Sequence, residues 1–429
     1  MIFKTNLKAL LCTIACLSVL SDPIISQTYH FRNYGNDSNI PDGFIYTVNQ
    51  DNNGYLWVGT RNGISKFDGF DFYNVEFPDS AIGRYPTACL KDKAGTLWFG
   101  CSDGTLFFTE EDKLKQLVIN NNKSISTIAE ARDGAIWIIP QADAVFRVNP
   151  DGHDDLRTFS FSPDKMLFSA SFTGSGDILI GTQENIQIMR IQEDSLIVND
   201  TIQGFNYSNV TAIHKLQNSD SYLAGTNGSG MFLINLSGEG KKLTRLSDRE
   251  ELAYLDVQSI YEDSDNYCWV STNGSGILRL KSTSGSNGVS FSGFIDQNSG
   301  LAANNIRTVF RDVEGNYWIG HFGDGLSMLP SMALAFYAPG KTPEANNIIY
   351  LNKLNNDYLL GTPSGYFLFD IESNSSGSFT DLRRSTGNNE ITAYCTDDKN
   401  NLWIGTGGGG LFLKTPSATL RIFYRTGDS

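Results

Sequence analysis

The segment Asn52–Phe67, NNGYLWVGTRNGISKF, packs a polar turn, an apolar strand, a glycine turn and another strand into one short span. Asp51 to Gly54 suits a tight hairpin, because Asp bonds its own backbone and Gly accepts positive φ. The phrase returns as KAGTLWFGCSDGTLFF from Lys93, RDGAIWIIPQADAVFRV from Arg132, SGDILIGTQENIQIM from Ser175 and SDSYLAGTNGSGMFLI from Ser219. It continues as SDNYCWVSTNGSGILRL from Ser264, VEGNYWIGHFGDGLSML from Val313, NNDYLLGTPSGYFLF from Asn355 and NLWIGTGGGGLFL from Asn401. The Trp position falls at Trp57, Trp98, Trp137, Leu179, Leu223, Trp269, Trp318, Leu359 and Trp403, at intervals of 39 to 49 residues. A period of that size with no helical pattern inside it is the signature of propeller blades or a related array.

Each unit supplies four short strands. An apolar run such as FIYTVNQ precedes the turn, the Trp strand and the strand after the glycines follow, and an aromatic run such as DFYNVEF completes the set. Four antiparallel strands per unit make a blade. The fold is therefore expected to be all-β. The Trp residues belong between blades, since truncating a buried Trp typically costs about 3–5 kcal/mol. The four glycines Gly407–Gly410 carry no phosphate site, because a P-loop needs Lys and a hydroxyl after its last glycine and Leu411 and Phe412 follow here.

The pattern D-x-x-G-x-L-W-x-G-T-x-x-G-[IL], met by Asp51, Gly54, Leu56, Trp57, Gly59, Thr60, Gly63 and Ile64, resembles the two-component regulator propeller repeat. The resemblance covers essentially the chain beyond residue 27. It implies the periplasmic sensor region of a one-piece or hybrid two-component histidine kinase. In that family two seven-bladed rings commonly precede a triple-tyrosine sandwich, a membrane helix and the kinase, and oligosaccharides are frequent ligands. Three copies depart from the pattern: Ile139 and Pro140 replace Gly-Thr, Ser271 replaces the first Gly, and His321 replaces Thr.

Nine copies exceed the four to eight blades of ordinary rings. The expected division is a seven-bladed propeller over 28–330 and the first, about two, blades of an incomplete second propeller over 331–429. TYHFRNY at Thr28 reads as an outer strand that closes the first ring near 314–330, and ALAFYAP at Ala333 as the opening of the second. The chain reads as a sensor truncated before its kinase, and no enzyme activity is expected in it.

Loops before the inner strand and turns after the second strand open on one propeller face. The first set contains Asp42, Arg84, Tyr85, Lys123, Tyr207, Tyr254 and Asn304. The second contains Arg61, Asn62, Asp103, Gln183, Asn227, Asn273, His321 and Phe322. Arg, Asn, Gln and Tyr beside exposed aromatics bind hydroxyl-rich or carboxylated ligands by forked hydrogen bonds and stacking. The ligand-binding candidates are Arg61, Asn62, Arg84, Tyr85, Gln183, Tyr207, Asn227, Tyr254, Asn273, His321 and Phe322. The alternatives are a propeller lyase, a glycoside hydrolase, or a secreted scaffold that binds another protein, with a homodimer compatible with the sensor reading.

The chain has 429 residues and a net charge of -14, from 33 basic and 47 acidic side chains. That balance argues against nucleic acid and anionic membranes as partners. Lys4 and Lys8 precede the apolar run ALLCTIACLSVL, which reads as a signal peptide over 1–27 cleaved near Gln27 and implies export to the periplasm. Cys16 leaves a lipid-anchored alternative, against which Thr13 stands where Leu is usual. No later apolar run is long enough to span a membrane. Cys89, Cys101, Cys268 and Cys395 then remain, read as buried free thiols, with a Cys89–Cys101 bridge as the alternative. Neither they nor the scattered His30, His153, His214 and His321 form a metal cage, and no cofactor is expected.

Overall fold

In the computed structural model, Asp51 does two jobs at once. Its Oδ1 accepts from the backbone N–H of Asn53 and Tyr55, each at 2.9 Å, and its Oδ2 accepts from the indole Nε1–H of Trp57 at 2.8 Å. One carboxylate thus closes the first hairpin of the blade and fixes the ring in the next strand. The same indole bond joins Trp98 to Asp92 (2.8 Å), Trp269 to Asp263 (2.8 Å), Trp318 to Asp312 (2.7 Å) and Trp403 to Asp397 (3.1 Å). In the third repeat Ala131 stands in the place of the carboxylate. Four hydrogen bonds onto the Asp397 carboxylate, with Asn401 and Trp403 foremost, hold its pKa down at about 2.

The structure describes residues 29–330 except 36–37, 39, 79–82, 120, 143, 150–151, 161–165, 193–194, 218, 237–240, 247–248 and 284–287. Beyond 346 it describes 347–354, 357–363, 365–370, 375–376, 380–381, 391–399, 401–407, 410–415 and 420–423. The expected leader over 1–27 and the ALAFYAP strand lie outside the described residues.

Two compact units result, Tyr29–Leu334 and, at the other end, Ala335–Ser429. The first holds seven four-stranded antiparallel sheets. Blade 1 is Ile45–Gln50, Leu56–Thr60, Gly63–Phe67 and Phe72–Val75, from the axis outward. The inner strands of blades 2 to 7 are Pro86–Lys91, Ile125–Glu130, Leu167–Phe172, Val210–Lys215, Val257–Glu262 and Ile306–Arg311. Each inner strand neighbours the next, and Ile306–Arg311 neighbours Ile45–Gln50, so the ring closes.

The closing blade is composite. Arg32–Tyr34 pairs antiparallel with Leu326–Leu329, in the register Asn33↔Ser327. Tyr34 is buried there, its ring 5.7 Å from that of Trp318 and 5.4 Å from that of Phe67 in blade 1. Second strands are buried on both faces, Leu97–Cys101 and Tyr317–His321 throughout their lengths, which places the tryptophans between blades. Trp57 meets Phe99 of blade 2, and Trp269 stacks on Tyr317 of blade 7 with ring centres 4.1 Å apart.

In the second unit Tyr350–Leu354, Asp357–Thr362 and Gly365–Asp370 form one antiparallel sheet, with Ser375–Ser376 and Thr380–Asp381 along Gly365–Asp370. Ile391–Thr396, Leu402–Thr406, Leu411–Lys414 and Leu420–Phe423 form another. Leu359, Tyr366, Leu402, Ile404 and Phe412 make a shared core.

The four cysteines are free, Cys89 and Cys101 included. Cys395 is exposed, a correction to the expectation of four buried thiols: it follows Tyr394 on a strand that carries only partial cover among the described residues. Burial pushes the Cys89 thiol up to about 12, against a weaker hydrogen bond from Asn49, so it is inert as a nucleophile at neutral pH.

Candidate functional site

The two loop sets meet through one recurring backbone bond. The first N–H of the turn after the second strand donates to the carbonyl just before the inner strand. The pairs are Arg61 to Phe44 (3.1 Å), Ser102 to Tyr85 (2.9 Å), Gln141 to Ser124 (2.8 Å), Asn227 to Asn209 (3.1 Å), Asn273 to Asp256 (2.8 Å) and Phe322 to Asn305 (3.0 Å). In blade 4 the turn reaches the next blade instead, through Glu184 N–H to Ser208 at 3.1 Å.

Glycine turns in blades 5 to 7 add a clamp between blades. Gly228 and Gly230 both donate to the Leu255 carbonyl (3.1 and 3.2 Å), Gly274 and Gly276 to Asn304 (3.2 and 2.9 Å), and Gly323 and Gly325 to Gly43 (3.1 and 2.9 Å). These N–H groups are spent on neighbouring backbone rather than turned toward an anion. Gly230 sits at φ +77°, and a Cβ there would lie 2.2 Å from the Leu252 carbonyl oxygen. Gly230→Ala is therefore expected to cost about 2 kcal/mol or more in urea unfolding, while Ala at the open Gly69 site costs only its backbone strain.

Inside this face the inner strands enclose a cavity of about 670 Å³ on the propeller axis. Every inner strand shifts register at its second residue, as between Ile45 and Thr47 or Ile306 and Thr308. A bulge re-aims the extra side chain. Those residues are Tyr46, Thr87, Ser126, Phe168, Thr211, Gln258 and Arg307, and all line the cavity. The small ones tie blade to blade: Thr87 Oγ1 donates to the Ile125 carbonyl at 2.6 Å and Thr211 Oγ1 to that of Val257 at 2.6 Å.

Three of the large ones, Tyr46, Gln258 and Arg307, come from the adjacent blades 1, 6 and 7, while Phe168 belongs to blade 4. Tyr46 stacks on Tyr85 with centres 4.7 Å apart, and Phe322 meets Phe44 edge-on at 4.8 Å and Tyr46 at 6.2 Å. Arg307 donates to Gln258 Oε1, and Gln258 Nε2 donates to Asp256 Oδ1 at 3.0 Å. Burial raises the Tyr46 phenol, and burial lowers the Arg307 guanidinium from its usual value.

The two component regulator propeller model matches residues 39–62, 251–274 and 385–408. The first two windows each run from the loop before an inner strand to the turn after the second strand. Those three windows carry the two component regulator propeller repeat. No curated protein matches it. The chain is similar in structure to the extracellular domain assigned to the hybrid two component system BT3049 of B. thetaiotaomicron, at TM-score 0.70 and 18% identity, covering 93% of this chain and 55% of that one. The extracellular domain assigned to the one component system BT4673 of the same organism gives 0.56 and 16%, covering 93% and 54%. The chain thus spans about half the length of these two structures. An inactive variant of virginiamycin B lyase from Staphylococcus aureus gives 0.55 and 16%, covering 71% of this chain and 100% of that one, a likeness of fold.

In the first propeller the nominated residues separate by environment. Tyr85 lines the cavity, and Asn273 and Phe322 line a side pocket of about 90 Å³ with Gln258 and Arg307. Arg61 lies over the Phe44 ring at 4.4 Å and pairs with Asp42 at 3.3 Å, while Asn62 donates to the Pro41 carbonyl at 3.1 Å. Gln183 bridges to Asn209 and Asn227 to Asp256 through backbone. Tyr207 and Tyr254 are 87% and 76% exposed on blades 5 and 6. Two nominated groups face inward instead: Arg84 is buried against Asp103 at 2.7 Å, and His321 is fully buried with Nε2 2.7 Å from Ser327 Oγ. Lys123 and Asn304 serve their loops, Lys123 N–H donating to Asn121 Oδ1 and Asn304 Oδ1 accepting from Gln297.

Sequence reasoning passed over Tyr46, Gln258 and Arg307, which belong to inner strands rather than loops. The available signal was the second residue of each inner run, where Arg307 stands against Thr87, Ser126 and Thr211. Among the described residues no group of three or more His, Cys, Asp or Glu side chains converges to hold a metal. No helix among them is long and apolar enough to cross a membrane.

Proposed function

We propose that this regulator propeller is the ligand-reading part of an extracytoplasmic two-component sensor, exported to the periplasm and active as a homodimer. Its first propeller binds a small polar ligand of the oligosaccharide class, and occupancy is relayed to a kinase carried elsewhere in a longer protein. The unit Ala335–Ser429 begins a second propeller in this reading. One observation carries the proposal: a cavity of about 670 Å³ walled by hydroxyls, with a stacked Tyr46–Tyr85 pair on one side. Hydroxyls and amides pair with sugar hydroxyls, and aromatic faces cover sugar rings. Hydrolysis would need two carboxylates about 5–9.5 Å apart on one face, and the described lining residues include none.

A thermal-shift screen of the full chain against oligosaccharides tests this. A ligand at a hundredfold excess over its dissociation constant stabilises by about 2.7 kcal/mol, and Tyr46→Ala removes that shift. A shift that survives Tyr46→Ala moves the site away from the channel.

A second reading, a protein-binding face, is favoured by Tyr207. It is 87% exposed and sits at φ +60°, beside Asn206 at φ +53°. A bulky residue in that region is strained, and such strain clusters at functional sites. Loss of a copurifying partner or of the dimer in Tyr207→Ala, with ligand shifts intact, would favour it.

A further inference from the structure

The cavity wall is lopsided in charge. Although the protein carries 47 acidic residues, the described residues lining the cavity hold no carboxylate and one cation, Arg307. Three other arginines of the propeller pair with carboxylates: Arg61 with Asp42, Arg190 with Asp177 and Arg311 with Asp265, each within 3.3 Å. Arg307 has no carboxylate within ion-pair reach among the described residues. Its guanidinium donates to Gln258 Oε1 and lies 6.0 Å from the centre of the Tyr46 ring. Asp256, the acidic group on that side, is engaged by Gln258 Nε2 at 3.0 Å and Asn273 Nδ2 at 3.1 Å.

A guanidinium has five N–H donors in a planar fork that matches a carboxylate. Here one is used by Gln258, and the others have no protein acceptor among the described residues. Holding a cation in a recess without a counter-charge is unfavourable, and a ligand anion relieves it. Elsewhere on the wall stand the hydroxyls of Thr87, Ser126 and Thr211, each donating to a backbone carbonyl and keeping its lone pairs for a sugar hydroxyl, and the Tyr46–Tyr85 stack lies in blades 1 and 2. Together these features describe a receptor for something both hydroxylated and anionic.

We infer that the channel ligand is an acidic sugar whose carboxylate is bound by Arg307, with Gln258 orienting the guanidinium and the Tyr46–Tyr85 pair facing the sugar ring. This rests on the channel reading above. A neutral sugar leaves the Arg307 donors to water, whereas a uronate takes two of them at once.

Isothermal titration of the full chain with short oligomers of galacturonate, glucuronate and mannuronate, against length-matched neutral oligomers, tests the assignment. At least one acid is expected to bind about tenfold or more tighter than its neutral counterpart. Added salt erodes the difference. Arg307→Gln abolishes the preference without changing the melting temperature by more than a few degrees. Arg307→Lys keeps the charge and loses the fork, so part of the preference remains, and it decides the matter if Arg307→Gln fails to fold. Equal binding of acid and neutral sugar, lost in Tyr46→Ala, overturns the acidic ligand and leaves the channel reading standing. Binding of no sugar of either kind overturns both.

Discussion

Asp263→Ala is expected to destabilise the first propeller by about 4 kcal/mol or more, measured by tryptophan fluorescence in urea. The carboxylate is 1% exposed and collects four donors: the N–H of Asp265 and Tyr267 at 2.9 Å, the Trp269 indole at 2.8 Å and the Tyr317 hydroxyl at 2.7 Å. Each buried donor left unpaired costs about 1–3 kcal/mol, and relaxation recovers part of the sum. Tyr317 belongs to blade 7, so the loss also loosens an interface between blades. Asp133→Ala is the control. Its carboxylate is 60% exposed and pairs with Arg147 at 2.9 Å, a surface bridge worth under about 1 kcal/mol. Should the two substitutions cost the same, the shared carboxylate is not what holds turn and indole together.

Stability is expected to fall by about 3 kcal/mol as pH drops from about 6.5 to about 4, through His321 alone. Burial is the main cause of its lowered pKa, about 4 against 6.5 when exposed, and Asp324 opposes that shift. Between those values the unfolded chain takes up a proton that the folded one refuses, so acid favours unfolding. Below about pH 4 both states are protonated and this contribution levels off. His321→Thr restores the residue found at Thr60, Thr226 and Thr272, whose hydroxyls donate to a turn carbonyl at 2.7 to 3.2 Å. Subtracting the variant's urea midpoints from the parent's at each pH isolates the histidine. A flat difference would mean that His321 keeps an ordinary pKa.

The period of the repeat makes blades legible, because each strand-turn-strand unit is short and local in sequence. The carboxylate six residues before five of the six tryptophans is equally visible, yet spacing alone does not show that Asp51 and Trp57 bond, since the side-chain directions depend on the turn between them. The inner-strand bulge hides more. Alternation assigns faces only while the pleat is regular, and a bulge at Tyr46 or Arg307 breaks it at the position that lines the channel. His321 misled for a related reason. It ends a strand buried on both faces, so it meets Ser327, whose hydroxyl also donates to Asn33, rather than solvent.

The composite closing blade has a consequence in time. During synthesis Arg32–Tyr34 is made first, and Leu326 follows Tyr34 by 326 − 34 = 292 residues. Until then six blades can stack while the opening strand waits without its partner, and both ends of the growing arc present bare edges. Such edges invite pairing with another chain. A helper that shelters the first strand during that interval would raise the yield of closed rings without altering the finished protein.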